Sequence, residues 1–324
     1  MKAAVYTQYG PPEVVTIAEV PKPVPKAGEV LVRIRATTVS SGDWRMRSLH
    51  MPGGFGPFGR LVVGITGPRK KILGTELAGV VEAVGPSITR FKVGDEVAGF
   101  PGGQMGAHAE YRATAENRLV RKPANLSFEE AAVLFFGGST ALHFLTKAGI
   151  KPGDTVLIVG ASGSVGAAAI QLARHFGAEV TAVTSAANAD LVRSLGASRV
   201  IDYNTTDFAT TGDTWDIIFD TTGTAPIARV ERALKPGGRL IVGMGTLKSL
   251  LGFDRPSRGS GKKVVAGVAE EKLEYLETLA KLAEAGTYRP VIDRVYPFAE
   301  IVAAHARVDT GRKRGNVVVQ VAAA

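Results

Sequence analysis

At 324 residues the chain is long enough for two domains of ordinary size, and the absence of any cysteine excludes disulfides, thiolate metal sites and a thiol nucleophile. Its five histidines (His50, His108, His143, His175, His305) lack H-x-x-H or H-E-x-x-H spacing, so no metal site is expected. The formal charge of +9 is dispersed apart from short clusters at 69–71 and 312–314, which reads as solvated surface attractive to an anionic cofactor and not as a nucleic-acid face; no run approaches the roughly 18 apolar residues of a membrane span, and without a signal-peptide core a cytoplasmic location is expected.

In chain order, residues 1 to about 125 are rich in short β-type runs separated by Pro and Gly turns: Lys2–Tyr6, Val14–Val20, Glu29–Val39, Glu76–Val84, Glu96–Ala98 and Glu110–Ala113. This predicts a compact barrel-like domain. Between Ser48 and Gly74 lies a Gly- and Pro-rich segment with no period, which reads either as a flap over a cleft or as a surface insertion. Phe128–Lys147 has helical periodicity, with an interruption expected near Gly137-Gly138.

The next stretch, Asp154-Thr-Val-Leu-Ile-Val-Gly160-Ala-Ser-Gly163-Ser-Val-Gly166, is a short β-branched run followed by a glycine-rich turn and then by helical residues through Phe176. Glycines at such a turn let the backbone reverse, let a pyrophosphate approach main-chain N–H groups, and let the helix pack on the strand. The spacing reads as G-x-x-G-x-x-G or A-x-G-x-x-G; a tight turn without ligand is the alternative. Further strand candidates at Glu179–Thr184, Val200–Asp202, Asp216–Asp220, Arg239–Val242 and Lys263–Val268 supply the alternation that a doubly wound parallel sheet needs, so a dinucleotide is the expected ligand, held by Gly160, Ser162, Gly163, Ser164, Val165 and Gly166.

About 20 residues after the glycines an NAD-selective fold usually places an acidic side chain for the ribose 2′-hydroxyl; here stand Thr184 and Ser185, which would not repel a 2′-phosphate. NADPH is therefore expected, with NADH possible. After the sheet, Glu270–Ala285 forms an amphipathic helix, and Arg289–Val321 returns to turns, a helix at Ala299–Val308 and a terminal strand Asn316–Val321.

The start Met1-Lys-Ala-Ala-Val-Tyr, Gly74-Thr-Glu-Leu-Ala-Gly-Val-Val-Glu-Ala-Val-Gly85, Phe91-Lys-Val-Gly-Asp-Glu-Val-Ala-Gly99, the glycine turn and Lys235-Pro-Gly-Gly-Arg239 together resemble the medium-chain dehydrogenase/reductase superfamily, in its zinc-free quinone oxidoreductase branch. The resemblance implies an α/β chain: a GroES-like β-barrel catalytic domain from residues 1–125 and 286–324 around a Rossmann doubly wound parallel-sheet cofactor domain at 126–285. It implies that Ser40, Thr75 and a place near Gly137 stand where zinc-dependent members carry catalytic zinc ligands, so no zinc is expected. The loop Val39-Ser-Ser-Gly-Asp-Trp44 matches the family's substrate loop. Ser41 and Asp43 are its hydrogen-bonding candidates, Asp43 being equally readable as a structural turn or an ion-pair partner of Arg45 or Arg47.

By resemblance, Asn188, Tyr203 and Arg314 would complete the 2′-phosphate site, and Thr140, Thr222, Gly243, Met244 and Gly245 would contact the cofactor. The activity implied is hydride transfer from NADPH to a small molecule, a quinone or an α,β-unsaturated carbonyl, with a homodimer through the Lys263–Val268 edge as the implied assembly. The alternative is a dinucleotide-binding protein with a structural, crystallin-like role and little turnover.

Overall fold

A computed structural model describes residues 1–51, 56–243, 245 and 251–321. The chain forms two compact units, one gathering Met1–Met51, Gly56–Phe136 and Glu271–Ala324, the other spanning Gly137–Glu270. These boundaries differ from the 125/126 and 285/286 expected from the sequence. The first unit keeps more of the crossing segments because the helix Phe128–Ala132 packs on its sheet and the helix Leu273–Glu284 packs on its strand Leu119–Arg121.

Along the first unit, β1 (Lys2–Val5) and β2 (Thr16–Glu19) pair antiparallel. β3 (Glu29–Val39) is the longest strand and joins β4 (Leu77–Val84), β6 (Tyr111–Ala115) and a strand from the far end of the chain, while β5 (Glu96–Gly99) and β7 (Leu119–Arg121) extend the sheet. Period-two alternation sends Val30, Val32 and Ile34 into a core with Leu77, Val81, Val97 and Leu119. Two helices lie between β3 and β4: α1 (Ser41–Ser48) and α2 (Gly56–Val63). Part of the aperiodic 48–74 segment is thus helical, while 52–55 lie outside the described residues.

α3 (Phe128–Ala132) opens on a capping box, in which Ser127 accepts from Glu130 N–H and the Glu130 carboxylate accepts from Ser127 N–H. α4 (Phe135–Lys147) follows, and the break falls at Val133–Leu134, not at the expected Gly137-Gly138. The cause is a buried carboxylate, Glu76, which accepts from the N–H groups of Phe135 (2.9 Å) and Phe136 (2.6 Å) and so starts a new helix there.

The second unit is a six-stranded parallel sheet of β8 (Thr155–Val159), β9 (Glu179–Thr184), β10 (Arg199–Asp202), β11 (Trp215–Asp220), β12 (Leu234–Val242) and β13 (Lys263–Val265) in the order β10-β9-β8-β11-β12-β13. That order is the Rossmann one, and Val156, Leu157, Ile158, Ile217, Ile218 and Phe219 are fully buried, as continuous apolar strands covered on both faces must be. The connecting helices include α5 (Ser164–His175), α6 (Ala189–Ser194) and α7 (Ile227–Val230). β13 leaves one edge of the sheet unpaired and ends three residues short of the expected Val268.

The chain then returns to the first unit through α8 (Leu273–Glu284), β14 (Ile292–Pro297), α9 (Ile301–Asp309) and β15 (Asn316–Gln320). β15 lies between β14 and β3, and its Val317, Val318 and Val319 are fully buried. β14 corrects the expectation of turns there: Asp293, Arg294 and Pro297 gave the stretch a loop-like composition that an edge strand tolerates. No helix among the described residues is long and apolar enough to cross a membrane.

Candidate functional site

In the second unit, the turn between β8 and α5 separates the tasks of its glycines. Gly160 has φ +77°, and a Cβ there would lie 2.4 Å from Thr222 Cγ2 and 2.5 Å from Thr221 Oγ1. A Cβ on Gly166 would lie 2.2 Å from the Gly160 carbonyl oxygen, so the fold itself requires both glycines. At Gly163 the nearest atom would be the Gly160 oxygen at 3.5 Å, an ordinary contact. Glycine at 163 is therefore not demanded by packing, and the room beside it, at the start of α5, is what a pyrophosphate would fill. Ser162 and Val165 are half-buried on this turn and Ser164 is buried.

At the end of β9 the expected 2′-phosphate residues meet. The Thr184 hydroxyl donates to Ser162 Oγ (3.0 Å), and the Asn188 amide donates to Ser162 Oγ (3.1 Å) and Ser185 Oγ (3.2 Å), with Thr184 Oγ1 at 3.4 Å. The group is neutral, holds no carboxylate, and leaves the buried Asn188 Oδ1 without a partner. Tyr203 donates its backbone N–H to the Thr184 carbonyl (3.3 Å) and leaves its ring 61% exposed beside them. Arg314, by contrast, belongs to the first unit, where its backbone N–H donates to Asp293.

Further along the sheet, the buried Asp220 carboxylate at the end of β11 accepts from the N–H groups of Thr222 (2.8 Å), Gly223 (2.9 Å) and Ala225 (2.7 Å), fixing the loop that carries Thr222. Gly243 N–H donates to the Asp220 carbonyl (2.9 Å), and Gly245 is half-buried nearby in sequence; Met244 lies outside the described residues. Thr140 is half-buried on α4. One turn earlier, a Cβ on Gly137 would lie 2.6 Å from the Ser164 carbonyl oxygen, so α4 approaches the start of α5 too closely for any side chain there.

In the first unit, the loop after β3 is held by an interlocked set of side chains. Ser40 caps α1, accepting from Asp43 N–H (3.2 Å), while the Asp43 carboxylate accepts from Ser40 N–H (2.8 Å), the Ser40 hydroxyl (2.6 Å) and Gly74 N–H (2.8 Å). Asp43 is fully buried with both oxygens engaged. It holds the loop in place, while the Arg47 guanidinium binds Asp309 and the Gly10 carbonyl. Ser41 is half-buried at the first position of α1.

Beside this loop, Glu76 is fully buried and also accepts from the Thr38 hydroxyl (2.8 Å); burial pushes its carboxyl up to about 7 against the opposing pull of its three donors. Thr37 donates to the Glu76 carbonyl (2.7 Å) and His108 Nε2 bonds the Thr38 carbonyl (2.8 Å). Thr75 is 5% exposed and its hydroxyl has no partner among the described residues.

The zinc of the wider family does not fit these residues. Ser40 donates its hydroxyl to a bond with Asp43 and Thr75 offers a neutral hydroxyl, where zinc takes a thiolate or an imidazole. Among the described residues, no group of three or more His, Cys, Asp or Glu could hold a metal ion.

Residues 26–124 match the family model described as an alcohol dehydrogenase GroES-like domain, and 195–319 match one described as a zinc-binding dehydrogenase. The chain is 34% identical to a 2-methylene-furan-3-one reductase of Solanum lycopersicum, over 98% of its own length and 79% of the relative's. It is 30% identical to an NADPH-dependent alkenal/one oxidoreductase, chloroplastic, of Arabidopsis thaliana, with the same coverage of 98% and 79%. The quinone oxidoreductase of Coxiella burnetii has the same fold with a TM-score of 0.87 at 29% identity, over 99% of each chain.

Proposed function

This chain belongs to the medium-chain dehydrogenase/reductase superfamily, in its quinone oxidoreductase branch, and is an NAD(P)H-dependent oxidoreductase; from that premise we propose that it reduces quinones or α,β-unsaturated carbonyls with NADPH and without zinc. The observation that carries the proposal is the neutral group of Ser162, Thr184, Ser185 and Asn188 beside a glycine turn where a Cβ on Gly163 would make only an ordinary contact. Hydroxyl and amide groups receive a 2′-phosphate without the repulsion a carboxylate would impose. The bound cofactor supplies hydride chemistry.

The chain's own share is binding, orientation and polarisation. In this reading the turn from Ser162 to Gly166 offers backbone N–H groups to the pyrophosphate, those of Ala161 and Gly163 being bonded to Val183 and Gly160; Thr222, Gly243 and Gly245 follow the ends of β11 and β12 and, with Thr140 inside α4, are assigned to the nicotinamide half, and Ser41 heads the substrate loop. With hydroxyls in place of metal ligands, simple alcohols are poor substrates, because nothing lowers the alcohol's pKa, whereas quinones and enones accept hydride to give delocalised anions.

The test is to dialyse the protein against a strong chelator, verify metal content by elemental analysis, and assay 1,4-benzoquinone, 3-penten-2-one and a simple alcohol, with Kd values for NADPH and NADH measured alongside. Quinone or enone turnover survives chelation, and NADPH binds more tightly than NADH. Activity lost on chelation and restored by zinc, dominant alcohol oxidation, or tighter NADH binding would each overturn its part of the reading.

A further inference from the structure

Four hydroxyl side chains stand in the corner of the first unit formed by the end of β3 and residues 74–76. Three are committed: Thr37 to the Glu76 carbonyl, Thr38 to the Glu76 carboxylate and Ser40 to the Asp43 carboxylate. The fourth, on Thr75, has no partner among the described residues although the residue is 95% buried. Its backbone is held on every side. Gly74 N–H is bound by Asp43, the Thr75 carbonyl accepts from Gly102 N–H (3.1 Å), and Glu76 is fixed by Thr38, Phe135 and Phe136.

A buried donor left unsatisfied costs on the order of 1–3 kcal/mol, a cost that a fold accepts where a ligand atom will pair with it. The neighbouring positions are also rigid enough to aim that donor, because the hydroxyls of Thr37, Thr38 and Ser40 and the carboxylates of Asp43 and Glu76 are already bound; the other unpartnered polar atom here, Nδ1 of His108, belongs to a ring held through its Nε2 on the Thr38 carbonyl. No hydrogen bond ties down the present χ1 rotamer, so turning the hydroxyl towards the residual exposed face of the residue breaks no contact of that kind.

We propose that the Thr75 hydroxyl is the catalytic hydrogen-bond donor to the carbonyl oxygen of the acceptor, an assignment that rests on the quinone and enone reading above. As the acceptor gains hydride at carbon, the displaced π electron pair moves to its carbonyl oxygen, and the Thr75 O–H stabilises the charge without giving up its proton. The proton that completes the reduction comes from water. Ser40 cannot share the task, its O–H being spent on Asp43, and the Glu76 carboxyl is fully buried behind Thr38 and α4. A hydroxyl thus does by hydrogen bonding what a Lewis acid does in metal-dependent relatives.

The experiment compares the parent with Thr75→Val and Thr75→Ser, using NADPH with 3-penten-2-one and 1,4-benzoquinone, and reads kcat/KM, the Kd for NADPH and the Tm. Thr75→Val, which keeps the shape and deletes the donor, lowers kcat/KM by about a hundredfold. Its NADPH Kd is unchanged, and its Tm is equal to or above the parent's, since an unpaired buried hydroxyl has become a methyl. Thr75→Ser restores most of the activity. Parental kcat/KM in Thr75→Val, with the parent active, overturns this assignment alone. A lowered Tm with no rescue by serine assigns the loss to the packing of the side chain and not to its hydroxyl, and overturns it too. A parent that turns over neither acceptor overturns the functional reading and the assignment together.

Discussion

The glycine turn of the second unit and the hydroxyl corner of the first are built on opposite principles. The turn works through backbone, with Thr221 and Thr222 packed against Gly160 and room left at Gly163. The corner works through side chains that bind one another, with Asp43 and Glu76 each taking three donors. A ligand site made of backbone can be blocked without harming the fold. One made of interlocked side chains cannot be altered at most positions without loosening the structure, and Thr75 stands apart as the member that nothing else needs.

The sharpest way to test that contrast lies within the turn. Gly166→Val drives a side chain into the Gly160 carbonyl and should destabilise the protein by ~3 kcal/mol or more, whereas the Cβ of Gly163→Val makes only an ordinary contact with the Gly160 oxygen and should leave the Tm near the parent's. The latter nevertheless weakens NADPH binding by about a hundredfold or more, on the order of 3 kcal/mol. Thermal melts with fluorescence titration separate the two; normal cofactor binding by a folded Gly163→Val would show that the phosphates lie elsewhere.

A smaller effect is expected in the corner. Asp43→Asn puts an amide N–H₂ against either Gly74 N–H or Ser40 N–H, each itself a donor, and should cost about 2 kcal/mol in urea unfolding. An unaltered midpoint would mean that the capping box contributes nothing to the loop.

The smallest effect is electrostatic. Burial raises the Glu76 carboxyl from 4.5 to about 7, so between those values the folded chain binds more protons than the unfolded one. Its contribution to stability is greatest below about 4.5, falls as pH rises through the window and levels off above about 7. From about pH 6.5 to about pH 8 the parent should therefore lose less than about 1 kcal/mol relative to Glu76→Gln, measured by urea unfolding of both. A parent that gains stability on that scale over the same range would reverse the sign.

Legibility from sequence followed the same divide. The parallel strands announce themselves as apolar β-branched runs, because packing on both faces leaves little room for polar residues, and Glu29–Val39 is bounded as its composition says, its period-two alternation marking an antiparallel strand. The glycine turn was equally plain. What composition hid were elements whose cause lies far away in sequence: α4 starts where Glu76 caps it from 59 residues back, and Gly137 sits inside that helix to admit Ser164. Ser40 and Asp43 do carry a readable capping-box spacing for α1, yet the loop's resemblance to a substrate loop drew attention to chemistry instead. Thr75 was visible only as a missing metal ligand, since the commitment of its neighbours' hydroxyls cannot be seen without coordinates.

The placing of β15 sets the order in which the molecule is finished. This strand lies in the interior of the first unit's sheet, pairing Val317 with Val39 across nearly the whole chain, while the cofactor unit is one continuous run from Gly137 to Glu270. On the ribosome, the later-synthesised unit is therefore complete while the earlier one still waits for a central strand. Until residues 316–320 emerge, the edge of β3 that they will cover offers unpaired N–H and C=O groups, and the unit translated first is the one most in need of protection from aggregation.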